Sequence, residues 1–297
     1  MSTADASPQL LSTAEMASFV ARGFLRLDAV VPDEVNRAAT DELSAILATW
    51  GSDARPHAPS TLQPLADVYP EPSAVGRMLR TPRVAGALHS LVGADAVFDH
   101  DFVHRRDAGD GTTQWLHADA IIDPSLAFDI QAFYFPHDVA PGEGGTRFVP
   151  GSHFRQVNEA DVGRYQHVVG EEQFAGPAGT VLIFHHGLWH GAMPNQGDHA
   201  RLMYKIRLNP TRPQVRLWDT GDLDEMQNGP DDHMFARFRF DSVAAVLRST
   251  EPWYEQGTDR LELVQRARLW RYLSGDDAFD VDYYLTRIEA KAALADG

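Results

Sequence analysis

The sequence predicts an α+β protein whose middle is an antiparallel β sandwich or barrel and whose two ends are helical. Three observations predict it. Residues 96–208 break into short apolar or alternating runs punctuated by Gly, Pro, Asn and Asp, the pattern of many short strands joined by turns. Residues 11–95 carry helical periodicity with start and stop signals, and residues 209–297 return to it after an acidic loop. The expected organisation is a single domain over 1–297, with a helical region at 11–95, a β core at 96–208 and a helical C-terminal extension at 209–297.

The elements follow in order. Ser12-Thr13-Ala14-Glu15 has the spacing of a capping box, Met16, Phe19 and Val20 repeat at helical intervals, and Gly23 supplies the stop. Phe24-Leu25-Arg26-Leu27 alternates like a strand, and Pro32-Asp33-Glu34 opens a longer helix towards Trp50-Gly51. Residues 52–72, rich in Pro, Ser and Asp, read as loop, and a third helix over Val75 to Val92 is interrupted near Pro82. Expected strands run over Val97–Arg106, Trp115–Ile122, Asp129–Pro136, Gly145–Val149, Thr180–Phe184, Leu188–Ala192 and Arg201–Leu208. Gly221 to Asp232 is an acidic loop, and Asp259 to Leu273 carries an apolar face of Leu261, Val264, Ala267 and Leu269. The long loops at 52–72 and 221–232 are candidate lids.

Composition narrows the function. With no cysteine among 297 residues, disulfides, thiolate zinc sites and a cysteine nucleophile are excluded together, so any metal is held by nitrogen and oxygen. A formal charge of -16, from 26 basic and 42 acidic residues, disfavours nucleic acid and anionic lipid as partners and favours a small-molecule substrate. No apolar run has the length of a membrane span, and Met1 to Leu10 lacks the features of a secretory signal, so a cytoplasmic protein is expected. Arg105-Arg106 and Lys205 with Arg207 are local basic exceptions, read as solvated or salt-bridged strand edges rather than a substrate clamp.

One constellation carries chemistry. His117-Ala118-Asp119 places two donors at i and i+2, on one face of a strand, and Trp189-His190-Gly191 offers a second imidazole that a barrel can bring across from a later strand. Two imidazoles and one carboxylate hold non-haem Fe(II) on one face and leave the other open. His-x-Asp alone is common by chance, and His104, His137, His153, His185 and His186 are also eligible ligands. Arg201 discriminates. The turn formers Pro194 to Asp198 reverse the chain after His190 and return Arg201 towards the metal, where a guanidinium matches the far carboxylate of a chelating 2-oxo acid.

At this point the chain resembles the phytanoyl-CoA dioxygenase family of Fe(II)- and 2-oxoglutarate-dependent oxygenases. The resemblance rests on four ordered segments: Leu11-Ser12-Thr13 to Gly23-Phe24-Leu25; Trp115 to Asp119; Gly144-Gly145-Thr146-Arg147-Phe148-Val149-Pro150-Gly151-Ser152-His153; and Gly179 through His190 to Arg201. It implies a double-stranded β-helix (jelly roll, cupin-like) core, with N-terminal helices packed on it. It implies His117, Asp119 and His190 as iron ligands and Arg201 as the clamp on 2-oxoglutarate. Gln131 and Phe133, on the strand that lines the cosubstrate pocket in such enzymes, and Phe102 and His104, on the strand before His-x-Asp, are further cosubstrate candidates. His153 is scaffold. Two departures matter. Met203 stands where many such enzymes place a serine, so binding leans on Arg201 and a neighbour. Asp119 is intact where related halogenases have Ala or Gly, which argues for an oxygenase outcome.

The implied activity consumes 2-oxoglutarate and O2 as cosubstrates, releases succinate and CO2, and hydroxylates an unactivated C–H bond of a small metabolite. A natural-product tailoring oxygenase giving desaturation, epoxidation or another outcome is the alternative within the class. A non-catalytic ligand-binding jelly roll, which has no need of Arg201, and a zinc hydrolase, which has no second carboxylate base near the motif, are the alternatives outside it. The substrate and the oligomeric state are left open by the sequence.

Overall fold

A computed structural model describes residues 7–51, 53–59, 63–119, 126–155, 162–164, 166–228, 242–254 and 259–281. Helix α1 (Thr13–Arg22) is capped as its sequence requires: the Ser12 hydroxyl accepts from the Glu15 amide, the Glu15 carboxylate accepts from the Ser12 amide, and Gly23 ends the helix at φ +78°. Strand β1 (Phe24–Leu27) leads to α2 (Asp33–Trp50), which buries a stripe of Val35, Ala39, Leu43 and Leu47. The 52–72 segment holds a short strand β2 (Gln63–Pro64) and one turn of helix α3 (Leu65–Val68). The third expected helix is two, α4 (Ala74–Leu79) and α5 (Pro82–Val92), because Pro82 starts a helix at its first turn and cannot continue one.

The β core comprises β3 (Val97–Arg106), β4 (Ile130–Phe135), β5 (Thr146–Phe148), β6 (Glu172–Gln173), β7 (Thr180–His185), β8 (His190–Ala192) and β9 (Arg201–Asn209). They form two sheets, β1-β7-β4-β9-β3-β2 and β6-β5-β8, with every named pairing antiparallel. Beyond them lie α6 (Leu223–Asn228), α7 (Val243–Leu247) and α8 (Asp259–Ser274). Among the described residues no helix is long and apolar enough to cross a membrane.

Period-2 alternation divides the large sheet between two cores. Ile130, Ala132 and Tyr134 of β4, with Val181, Ile183, Leu202, Tyr204, Ile206 and Leu208, face the helices and join Phe19, Leu43, Leu88, Leu247 and Trp270. Phe133, Phe135, Leu182, Phe184 and Met203 face the small sheet and pack on Phe148 and Phe174. Full burial of such a side chain stabilises by roughly 1.5–3 kcal/mol, so both sheets are held face to face by this inner cluster. The inner face also carries polar residues, in cross-strand rows that build the site.

Two expectations are corrected. Trp115–Ile122 is not a strand over its described part, residues 115–119; the only ladder contact there is a bridge between His117 and His190. Leu116 and Ala118 pack with Val149, Val162 and Trp189, which supplies the alternation, while Trp115 lies exposed and finds no continuous partner strand. Residues 120–125 lie outside the described residues. Second, residues 53–69 are not free at their inner end. Asp101, fully buried on β3, accepts from Tyr69 Oη (2.8 Å) and Tyr204 Oη and pairs with His57 Nδ1 (2.6 Å), while the Val103 amide donates to the Ala54 carbonyl (2.8 Å). These bonds fasten the segment along β3. Of the other candidate lid, 221–232, residues 229–232 lie outside the described residues, and 223–228 form α6.

The scaffold buries neutral histidines at a cost at low pH. His185, fully buried beside Phe19 and Phe128, has its pKa lowered to about 3 by desolvation. The unfolded chain binds that proton near pH 6.5 and the folded chain does not, so stability is full above about pH 6.5 and falls as pH drops towards 3, by about 1.4 kcal/mol per pH unit. His185→Leu is expected to flatten urea-measured stability between pH 6.5 and 5 by up to one proton's slope; an unchanged slope would contradict this assignment.

Candidate functional site

The His117 segment is brought to β8 by reciprocal backbone bonds: the His117 amide donates to the His190 carbonyl (3.0 Å) and the His190 amide returns to His117 (2.9 Å). Leu116 and Ala118 bury on one side of that segment, which turns His117 and Asp119 to the other. His117 Nε2 lies 3.4 Å from Asp119 Oδ1, His190 Nε2 lies 3.7 Å from Oδ2, and the two imidazole centroids are 4.5 Å apart. All three donors fall within 4.8 Å of one another, and they form the one such cluster found among the described residues.

The backbone orients both rings. Nδ1 of His117 donates to the Trp115 carbonyl (3.0 Å) and Nδ1 of His190 to the Leu188 carbonyl (2.9 Å); a carbonyl only accepts, so each Nδ1 carries a proton and each Nε2 is turned towards Asp119. Burial pushes His190 down to about 3, under the rings of Phe133 (5.4 Å) and Phe184 (5.9 Å), and so keeps it neutral. Burial also pulls His117 down, but Asp119 outweighs it and its pKa is raised. Asp119 stays ionised: burial raises its pKa, yet the His117 hydrogen bond and the Lys205 ammonium hold it far below the usual carboxylate range. Two imidazole Nε2 atoms and one carboxylate, with each Nδ1 tied to a carbonyl, fit a divalent first-row ion and an open face.

Gly191 permits this approach. A Cβ there would stand 2.8 Å from the Gln114 carbonyl oxygen and 3.0 Å from that of Trp115, so the His117 segment lies where only glycine allows it. Gly191→Ala is expected to displace His117 and weaken divalent-ion binding by at least about 10-fold. Unchanged affinity in a metal titration would contradict that.

Arg201, at the start of β9 and 1% exposed, lines the same cavity of about 600 Å³. Its Nε donates to the Gly144 carbonyl (2.7 Å), one terminal nitrogen is buried with no partner, and among the described residues no carboxylate lies within ion-pair range of it. Desolvation, then Arg106, lowers its pKa to about 10, and Asp53 opposes this; it remains a cation at neutral pH. A buried unpaired guanidinium is costly unless an anion arrives. Thr146 of β5 presents a buried hydroxyl without a partner to the same cavity, a neighbour for the contact that Met203 does not make.

The remaining candidates sort by row. Phe102, Lys205 and Phe133 stand side by side across β3, β9 and β4, and all three line the cavity. His104 lines it next to Met203, stacked on Phe102 (5.3 Å) and bonded through Nδ1 to Asp53 (2.6 Å). Gln131 lies one row further, beside Arg207. It faces inward and is fully buried, and both its amide atoms lack partners, but it does not line the cavity. Arg207 is bonded to Asp129.

Lys205 and Arg207 are salt-bridged, as expected, but not at a strand edge: β9 lies between β4 and β3, and Lys205 is buried with Nζ 2.6 Å from Asp119 Oδ2. Sequence reasoning missed Lys205, Thr146 and Asp53; alternation from Arg201 through Met203 to Lys205 was the available signal for the first. His153 and His185 are buried in the scaffold, His153 bonded to the Val20 carbonyl (3.2 Å), and neither belongs to the metal cluster.

A sequence model of the phytanoyl-CoA dioxygenase (PhyH) family matches residues 19–203. The chain belongs to this family. No curated protein sequence matches it. Among solved structures, the fold is similar to the non-heme alpha ketoglutarate dependent carbocyclase SnoK from nogalamycin biosynthesis, at 20% identity and TM-score 0.54, covering 74% of this chain and 94% of that one. It is also similar to HygX from Streptomyces hygroscopicus with nickel and 2-oxoglutarate bound (16%, TM-score 0.53, 68% and 88%). A third is the epimerase SnoN in complex with Fe3+, alpha ketoglutarate and nogalamycin RO (17%, TM-score 0.51, 68% and 86%). At these identities the likeness is one of fold.

Proposed function

We propose that this protein is an Fe(II)- and 2-oxoglutarate-dependent dioxygenase that oxidises, by hydroxylation in the first instance, a C–H bond of a small-molecule metabolite. The observation that carries the reading is the pairing in one cavity of a His-Asp-His donor set with a buried arginine that has no anion of its own. His117, Asp119 and His190 would hold the iron, which would supply the oxidising chemistry that couples O2 and 2-oxoglutarate to succinate and CO2.

The chain's own residues bind, orient and exclude water. Arg201 would donate charge-assisted hydrogen bonds to the far carboxylate of 2-oxoglutarate, with the Thr146 hydroxyl as neighbour, and so would fix the direction in which the 2-oxo acid end points. Phe102, Phe133 and Met203 wall the cavity with apolar surface, and Phe133 with Phe184 shields His190. His104, held by Asp53, forms the wall beside Met203.

Supporting the reading further, the structural neighbours include proteins with 2-oxoglutarate bound, and two facing antiparallel sheets agree with a jelly-roll core in one domain. The carbocyclase and epimerase among them make tailoring outcomes other than hydroxylation the alternative, while intact Asp119 disfavours halogenation. A cytoplasmic location and a small-molecule substrate complete the proposal. Purified protein supplied with Fe(II), ascorbate, 2-oxoglutarate and a metabolite panel is expected to consume O2 and form succinate in step with substrate oxidation. Hydrolytic turnover by a zinc form without O2 would overturn it.

A further inference from the structure

Of the cations lining the cavity, Arg105 and Arg106 are paired with Asp107 and Asp110 and Arg201 is assigned to the cosubstrate, which leaves Lys205. Its side chain, about one-tenth exposed, lies between the rings of Phe102 and Phe133, each 5.8 Å from Nζ, and its partner is Asp119 (2.6 Å). The other acids lining the cavity are committed elsewhere: Asp53 to His104, Asp107 to Arg105, Asp110 to Arg106 and Thr112. Asp129, beyond them, is committed to Arg207. An ion coordinated by Asp119 would share the carboxylate that compensates Lys205 and so weaken that compensation.

We propose that Lys205 is the specificity-determining residue on the substrate side of this site, and that the substrate carries an anionic group of the carboxylate class which Lys205 holds between Phe102 and Phe133. The inference rests on the metal and 2-oxoglutarate reading above. The charges lead to it. Among the buried groups, a divalent ion brings two positive charges and Asp119 one negative; 2-oxoglutarate brings two negative; Arg201 and Lys205 bring one positive each, leaving one positive in excess, while Asp53 at the rim is 67% exposed and its charge is screened by water. Arg201 is consumed by the far carboxylate of the cosubstrate. Lys205 lies four residues along the same face of β9, roughly 13 Å away at about 3.3 Å per residue, so the excess charge resides at Lys205. A buried ammonium beside a metal centre calls for an anion, and a carboxylate on an apolar body matches an ammonium flanked by two aromatic rings.

The test uses anaerobic protein loaded with Fe(II) and 2-oxoglutarate, and matched probes of graded size: acetate and acetamide, hexanoate and hexanamide, phenylacetate and phenylacetamide. Binding is read by calorimetry and by change in the absorption of the loaded centre. For at least one pair, the carboxylate is expected to bind about 10-fold or more tightly than its amide, and Lys205→Met to abolish that preference while Lys205→Arg retains it. With Mn(II) alone, Lys205→Met is expected to bind the ion about 10-fold more tightly, because a like charge has been removed. Absence of any carboxylate preference, including no binding by any pair or occupation of Lys205 by 2-oxoglutarate itself, overturns the proposal. So does a preference that survives Lys205→Met, or weaker Mn(II) binding in that variant, which would make Lys205 a strut for Asp119. Failure of the unmodified protein to bind metal and 2-oxoglutarate at all defeats the functional reading first, and is seen before any probe is added.

Discussion

Asp119→Ala is expected to lower Fe(II) affinity by at least about 100-fold and to abolish 2-oxoglutarate turnover. The triad supplies three donors, and loss of one leaves two imidazoles with no compensating negative charge; partners that only orient ligands already cost 10–100-fold when removed. A second consequence follows from Lys205. Without Asp119 its ammonium is left without a counter-ion, and removing one partner of a fully buried pair costs roughly 3–5 kcal/mol. Here the Asp119 side chain is 20% exposed, so about 2 kcal/mol is the expected loss of unfolding free energy. The double variant Asp119→Ala with Lys205→Met should recover most of that stability and none of the iron binding. Chemical denaturation and metal titration on the wild type, the two single variants and the double variant check both halves; an Asp119→Ala protein that keeps its iron would refute the ligand assignment.

Arg201→Met is expected to move stability and function in opposite directions. The guanidinium is buried, one of its nitrogens is unpartnered, and desolvation lowers its pKa to about 10, all marks of a charge the fold carries at a cost. Methionine fits a similar volume without that charge, so the cosubstrate-free protein should gain about 1 kcal/mol or more in stability. The same change removes the fork for the far carboxylate and should weaken 2-oxoglutarate binding by about 2–5 kcal/mol, roughly 30-fold to several thousand-fold, with metal affinity little altered. Thr146→Val should weaken it by only about 0.5–1.5 kcal/mol, the scale of one neutral hydrogen bond. Thermal unfolding with and without 2-oxoglutarate gives both signs at once; destabilisation by Arg201→Met in the absence of cosubstrate would show that the arginine serves the fold.

The residues that the sequence disclosed are those whose chemistry is unusual for their surroundings. His117, Asp119 and His190 stood out because two imidazoles and a carboxylate at those spacings match a coordination habit, and Arg201 because an arginine after a turn completes it. Lys205 and Thr146 did not stand out. Alternation groups Arg201, Met203 and Lys205 on one face but cannot say that the face is inward, nor that β9 is central, since both depend on pairing with β3 and β4 from distant segments. The helical ends were readable from caps and from Pro82, which act locally. The strand expected at 115–122 misled because burial of Leu116 and Ala118 against Trp189 produces the same period of two as a ladder does. The two-residue strand β6 is too short to carry any pattern.

In the proposed function the cavity binds 2-oxoglutarate through a metal and Arg201 together, which anaerobic calorimetry of 2-oxoglutarate added to the protein with and without Fe(II) measures. The expected result is one 2-oxoglutarate per chain in the Fe(II)-loaded protein, binding at least about 10-fold weaker without metal, and loss of the loaded binding in Arg201→Met. Equal binding with and without metal, or undiminished binding by Arg201→Met, would contradict the account.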